Sequence, residues 1–306
     1  MPLTRERQEA ARAFMLERAR PLERALYAHF FEGADAGAAL DALAGYQNAD
    51  GGFGRGIEPD LRTPASSAIA TSVALQTLRD TNTPATHPLV ERAMAYLLAT
   101  YDAAGKVWPI IPAAANDAPH APWWTWSETL AENWGDFRAN PRAEIVGYLY
   151  DYATLVPEEL RARLTDAVVE HAEALPDAME MHDLLCYLRL VETRTLPDAA
   201  RERLRERLAR AVRATVVFDA DAWGGYGLMP LDVAPSPRAV FANEVRDAVE
   251  RNLDYTIAQQ TDDGSWSPAW SWEDAYPEAW AAARVEWQGV ITLKTLRSLR
   301  DWGRFE

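Results

Sequence analysis

Two kinds of helix alternate along this chain, and that alternation limits the folds open to it more than any other feature. The segment from Glu158 to Leu175 is charged on one face and apolar at Leu160, Leu164, Val168 and His171. The segment from Ala199 to Val216 interleaves Arg and Glu with Leu204, Leu208 and Val212, whereas Met181 to Val191, between the two, is apolar nearly all round. A helix with one charged face belongs on the outside of a protein, and one apolar on most sides belongs inside. The same period of 3.6 residues runs through Ser66 to Asp80, Leu89 to Tyr101 and Glu144 to Leu155. Prolines at 21, 64, 88, 141, 157 and 197 stand near the starts of these segments, where the first turn tolerates a missing N–H. Alternating Val/Ile/Thr runs that would signal a sheet are missing. The pattern predicts an all-α chain of roughly ten to twelve helices, paired as antiparallel hairpins in one domain over residues 1–306.

Three irregular stretches break the helices: Trp108 to Asn140, Phe218 to Pro237 and Trp266 to Pro277. Long connections in a compact protein tend to be functional. These hold Trp108, Trp123, Trp124, Trp126, Trp134, Trp223, Trp266, Trp270 and Trp272, so the aromatic surface available to a ligand is sought there first.

Two segments repeat one another. Gln47-Asn48-Ala49-Asp50-Gly51-Gly52-Phe53 matches Gln260-Thr261-Asp262-Asp263-Gly264-Ser265-Trp266 in the spacing of glutamine, aspartate, glycine and aromatic. Asp102 to Trp108 keeps the glycine and aromatic without the glutamine, and Asp221 to Tyr226 is a looser copy. Asp-Gly makes a tight turn at a helix end, with glycine taking positive φ. The glutamine amide can then satisfy backbone groups that the helix end leaves open. The repeat therefore reads first as a clamp between helical layers.

These glutamine-to-tryptophan repeats resemble the QW motifs of squalene–hopene and related triterpene cyclases. The run from Gln47 to Leu75 is similar to the repeat of protein prenyltransferase β-subunits, and Gly56-Ile57-Glu58-Pro59-Asp60 through Thr71 is similar to bacterial single-toroid proteins labelled prenyltransferase-like. The resemblance implies an α/α toroid of about six helical hairpins, with a central cavity where the loops precede the inner helices. It implies activity much less firmly, because one fold carries many functions.

The family chemistry is incomplete here. In place of the Asp-x-Asp-Asp acid motif of class II cyclases stands Asp219-Ala220-Asp221-Ala222. The zinc-ligand spacing of protein prenyltransferases is missing around Cys186, as is the Asp-Asp-x-x-Asp magnesium motif, so neither metal nor cofactor is expected. Candidate acids are Glu58, Asp60, Glu128, Asp136, Asp221, Asp274 and Glu286, of which Glu58, Asp60 and Asp221 are the proposed catalytic carboxyls. Trp126, Trp223, Trp270, Trp272, His182, Arg284 and Glu286 are the expected ligand contacts.

The formal net charge of −15 leaves no basic footprint for nucleic acid. No run reaches the roughly 18 apolar residues of a membrane span, so no stable membrane insertion is expected. The charged N-terminus lacks a signal-peptide core, and one cysteine forms no internal disulfide, which together lead us to expect a cytoplasmic protein. Three readings stay open: an isoprenoid pocket with acid-initiated chemistry, in which aromatic faces stabilise a carbocation; a carbohydrate-active or carbohydrate-binding barrel, in which tryptophans stack on sugars and carboxylates act in pairs; and a non-catalytic scaffold. The first two make the partner a small molecule.

Overall fold

A computed structural model describes residues 1–133 and 137–306 of the protein. Among these residues the chain is all-helical. Thirteen α-helices run in the order α1 (Arg5–Glu17), α2 (Pro21–Phe31), α3 (Gly37–Ala44), α4 (Ala68–Asp80), α5 (Pro88–Thr100), α6 (Glu128–Glu132) and α7 (Arg142–Asp151). They continue with α8 (Glu158–Ala174), α9 (Met181–Val191), α10 (Asp198–Thr215), α11 (Pro230–Val233), α12 (Arg246–Ala258) and α13 (Pro277–Asp301). Extended pairing among the described residues is confined to isolated bridges.

The helix ends follow the sequence rules. Ser67 caps α4, its hydroxyl accepting from the Ala70 N–H, and Thr4 caps α1 in the same manner. Pro21 and Pro88 open α2 and α5. Pro64 does not start a helix, because the chain first runs through an extended stretch to Ser67. The irregular stretch after Trp108 is partly ordered by short helical turns and by α6.

The chain forms two compact units. Unit 1 comprises residues 1–45 and 216–306, and unit 2 comprises residues 46–215. In unit 1, α13 packs on α2 and α1, and α11 packs on α12. The two chain ends pair within this unit, with the Leu3 N–H donating to Arg304 O at 2.6 Å and the Glu306 N–H donating to Leu3 O at 3.2 Å. In unit 2, α7 is the central element. It packs on α4, α8 and α9, and every residue from Arg142 to Tyr150 is buried. α8 and α10 carry the charged faces predicted for outer helices and pack on one another. Met181–Val191 contributes Leu184, Tyr187, Leu188, Leu190 and Val191 to the core.

Both clear repeats form one structure. Gln47 Nε2 donates to Gly51 O and Leu89 O at 3.0 Å, tying its turn to the start of α5. Gln260 Nε2 donates to Gly264 O at 2.9 Å and Arg7 O at 3.0 Å, tying its turn to the start of α1. The aromatic follows suit in each copy: the Phe53 N–H donates to Thr71 Oγ1 on α4, and the Trp266 N–H to Thr292 Oγ1 on α13, both at 3.0 Å. Gly51 and Gly264 have φ of +91° and +86°, and both press against the backbone of the clamped helix. The glutamine thus serves as the sequence reading expects. Each clamp binds a turn to the opening of another helix, and each hydrogen bond contributes about 1 kcal/mol.

Candidate functional site

The turns that follow these clamps lead into helices α4 and α13, and some of the expected site residues lie in those turns or on α13. In unit 2, the loop after Phe53 carries Glu58 and Asp60, both buried, at 9% and 3% exposure. The loop is pinned to the stretch after Pro119: the Ala121 N–H donates to Asp60 O at 2.8 Å, and Leu61 bridges His120. A small apolar cluster of Leu61, Ile110, Ile111 and Ala115 lies under it, with Trp124 and Trp126 packed against it. Trp126 is half-buried, its backbone held by both ends of the Asn116 amide. Glu128 is exposed in α6, and Asp136 and Trp134 lie outside the described residues.

Unit 1 holds the other expected residues except His182, which lies in unit 2. Asp221 is exposed in a short turn that Asp219 caps, its own N–H donating to Asp219 Oδ1 at 3.1 Å. It lacks the burial that keeps an acid protonated. Trp223 and Trp272 are core residues rather than ligand surface, at 2% and 3% exposure. The Trp223 indole donates to Val217 O at 2.7 Å and its ring meets Tyr255 edge-on, while Trp272 packs between Trp280 and Tyr276. An indole whose N–H finds a local carbonyl is stabilised by burial, which takes Trp223 out of the loop surface, and ring packing does the same for Trp272. Arg284 and Asp274 are exposed. Glu286 is largely buried and shares Arg20 with Glu23, at 3.9 and 2.6 Å from its guanidinium.

Trp270 differs from those two. It is half-exposed and meets Trp287 of α13 edge-to-face at 5.0 Å and Tyr226 at 5.9 Å. Tyr226 is 60% exposed, among the most exposed large apolar side chains described. Three aromatic rings thus form one surface along α13, with Arg284, Ile291 and Lys294 at helical spacing from Trp287. Lys294 is held by Asp232 at 2.7 Å. Sequence reading put Trp270 among the ligand contacts but not Tyr226 or Trp287. Tyr226 closes the loosest repeat copy, and Trp287 sits one position beyond Glu286 in a helix with one other tryptophan, Trp280.

A polar cluster in unit 2 was missed altogether. Glu144, 1% exposed on α7, accepts from Ser72 Oγ and, at 3.3 Å, from Gln76 Nε2, both on α4. Arg189 of α9 donates to its other oxygen at 2.5 Å. Beside it, Arg79 binds Asp151 at 2.5 Å and lies 4.4 Å from the centre of the Tyr148 ring. The Tyr148 hydroxyl is buried without a protein partner, and burial together with Glu144 holds its phenol well above the usual range. Cys186 is buried nearby, and burial pushes its thiol up as well, so it stays an unreactive thiol.

His182 is half-exposed and paired with Glu180 at 2.7 Å, and Glu180 also caps α9. Next to it, burial and the Glu180 charge raise the Asp183 carboxyl to about 6. A raised acid binds its proton more tightly in the folded state, so its effect on stability is unfavourable above that value. The effect sets in as pH rises from about 4 through 6 and is absent below both values. Asp183→Asn is therefore expected to melt higher than wild type at pH 7.5, with the difference closing toward pH 4. Equal melting temperatures at both pH values would rule out that carboxyl as a buried acid.

Two open clefts accompany these sites. One, of about 470 Å³, lies between Tyr101, Lys106 and the Glu159–Arg163–Asp166–Glu170 face of α8. The other, of about 320 Å³, is lined by Tyr27, Phe30, Phe31, Leu296, Arg300 and Phe305. Neither includes an expected site residue. Among the described residues no three His, Cys, Asp or Glu side chains group as metal ligands, and no helix is long and apolar enough to cross a membrane. No protein-family model matches the chain, and neither a curated protein nor a solved structure matches it significantly.

Proposed function

We propose that the protein binds an unsaturated, isoprenoid-like small molecule on the Tyr226–Trp270–Trp287 surface, within the α/α-toroid class that its repeats resemble. The observation that carries this is the contrast among the aromatics. Trp108, Trp223, Trp266 and Trp272 are buried by local partners, whereas these three rings form one continuous surface reaching solvent. A contiguous exposed aromatic surface is unusual unless something covers it. Aromatic rings at such a surface suit contact with an alkene chain. Arg284, exposed on the same helix, suits an anionic end group.

The rival reading is a carbohydrate, since exposed tryptophan and tyrosine also stack on sugar rings, and the 60% exposure of Tyr226 suits a ligand that stays in water. Calorimetric titration with farnesol, farnesyl diphosphate and a panel of malto- and cello-oligosaccharides separates the two. Saturable binding of farnesol or its diphosphate, without sugar binding, is the expected result. Binding confined to an oligosaccharide would replace this reading with the rival, and no binding from either class would overturn both.

A further inference from the structure

We propose that unit 2 carries a second ligand site, independent of the aromatic surface in unit 1, which takes a singly charged carboxylate on an apolar molecule and is anchored by Arg189. The Glu144 side chain is 2% exposed, whereas that of Arg189 is 38% exposed. A carboxylate fixed by Ser72, Gln76 and Arg189 leaves Glu144 little freedom to move. It therefore holds the guanidinium in one orientation, while more than a third of the Arg189 side chain stays exposed. A guanidinium oriented in this way is prepared to meet an oxygen pair, because the ordering has been done before a ligand arrives.

The charge count selects among anions. Arg189 is balanced by Glu144, and Arg79 beside it is balanced by Asp151. The cluster is neutral before a ligand arrives, so a polyanionic group such as a diphosphate meets no excess positive charge, whereas one carboxylate can be met by the guanidinium edge. The neighbouring surface is apolar. On α4, Val73 and Ile69 are half-exposed one and two turns before Gln76. On α9, Leu185 is half-exposed one turn before Arg189. An aliphatic chain of modest length along these side chains would place its carboxylate at Arg189.

The test is calorimetric titration of the full chain with decanoate, decanol and decyl phosphate, repeated on Arg189→Met. Because the single change strands a buried carboxylate, the doubly neutral Glu144→Gln/Arg189→Gln variant is measured beside it and replaces it if Arg189→Met does not fold. Decanoate is expected to bind the wild type at least tenfold more tightly than decanol, and either variant is expected to lose at least tenfold. The aromatic-surface variant Tyr226→Ala is expected to bind decanoate as the wild type does, which keeps this site separate from the one in unit 1. Decanoate affinity unchanged in a folded variant, or decyl phosphate bound more tightly than decanoate at pH 8, would overturn the proposal, as would no saturable decanoate binding.

Discussion

Gly264→Val is expected to lower the unfolding free energy by about 3 kcal/mol, and Gly33→Ala by only about 1 kcal/mol, as read from urea denaturation. The two positions separate causes that usually come together. Both glycines have positive φ, +86° at Gly264 and +75° at Gly33, so any other residue meets backbone strain at either one. At Gly33 a Cβ would find nothing within 4 Å, and strain is the whole effect. At Gly264 the Cβ would lie under 3.0 Å from the Ala10 carbonyl and the Ala11 nitrogen, so the helix that Gln260 clamps must move away. That movement also lengthens the Gln260 bond to Arg7 O and loosens the seat of Trp266. Equal losses at the two glycines would mean that the turn does not press on α1 and that the clamp is not what joins them.

Arg189→Met is expected to cost about 2–3 kcal/mol, and adding Glu144→Leu to recover most of the loss. Taking away the cation leaves the Glu144 carboxylate in the core with only Ser72 and Gln76 as donors, whereas removing both charges leaves an apolar junction between α4, α7 and α9. The figure is set below the usual range for a fully buried pair because the Arg189 side chain is 38% exposed and water already screens part of the interaction. A double-mutant cycle by denaturation measures the coupling. Additive losses from the two single changes would mean that the pair is not coupled in the folded protein.

How far the fold was legible depended on how local each determinant is. The bounds of α9 came directly from its apolar run, and the clamps came from repeated spacing, because the glutamine, glycine and aromatic that make a turn lie within seven residues of one another. Ser67 caps α4 at the start of the segment whose period was read from Ser66 to Asp80. The Glu144 cluster was not legible: its partners Ser72 and Arg189 lie 72 and 45 residues away, and nothing in a single sequence brings them together. The tryptophans divide along the same line. Whether an indole in a loop faces a ligand or the core turns on which carbonyl its N–H reaches. Trp223 finds Val217 O six residues back and is buried, whereas Trp270 meets other rings and stays partly open. The three proposed catalytic carboxyls divided similarly. Glu58 and Asp60 are buried by a loop that chain after Pro119 holds down, and Asp221, with no such cover, is exposed.

The measurement that bears most directly on the proposed ligand surface is the affinity of Tyr226→Ala for farnesol, with Trp123→Ala as its control. Both side chains are largely exposed, at 60% and 51%, so either change should leave the melting temperature near that of the wild type. Only Tyr226 belongs to the ring surface on Trp270. Tyr226→Ala is predicted to weaken binding about fivefold, in line with one aromatic contact of about 1 kcal/mol, while Trp123→Ala binds as the wild type does. Undiminished affinity in Tyr226→Ala, or an equal loss in both variants, would show that the ligand does not rest on this surface.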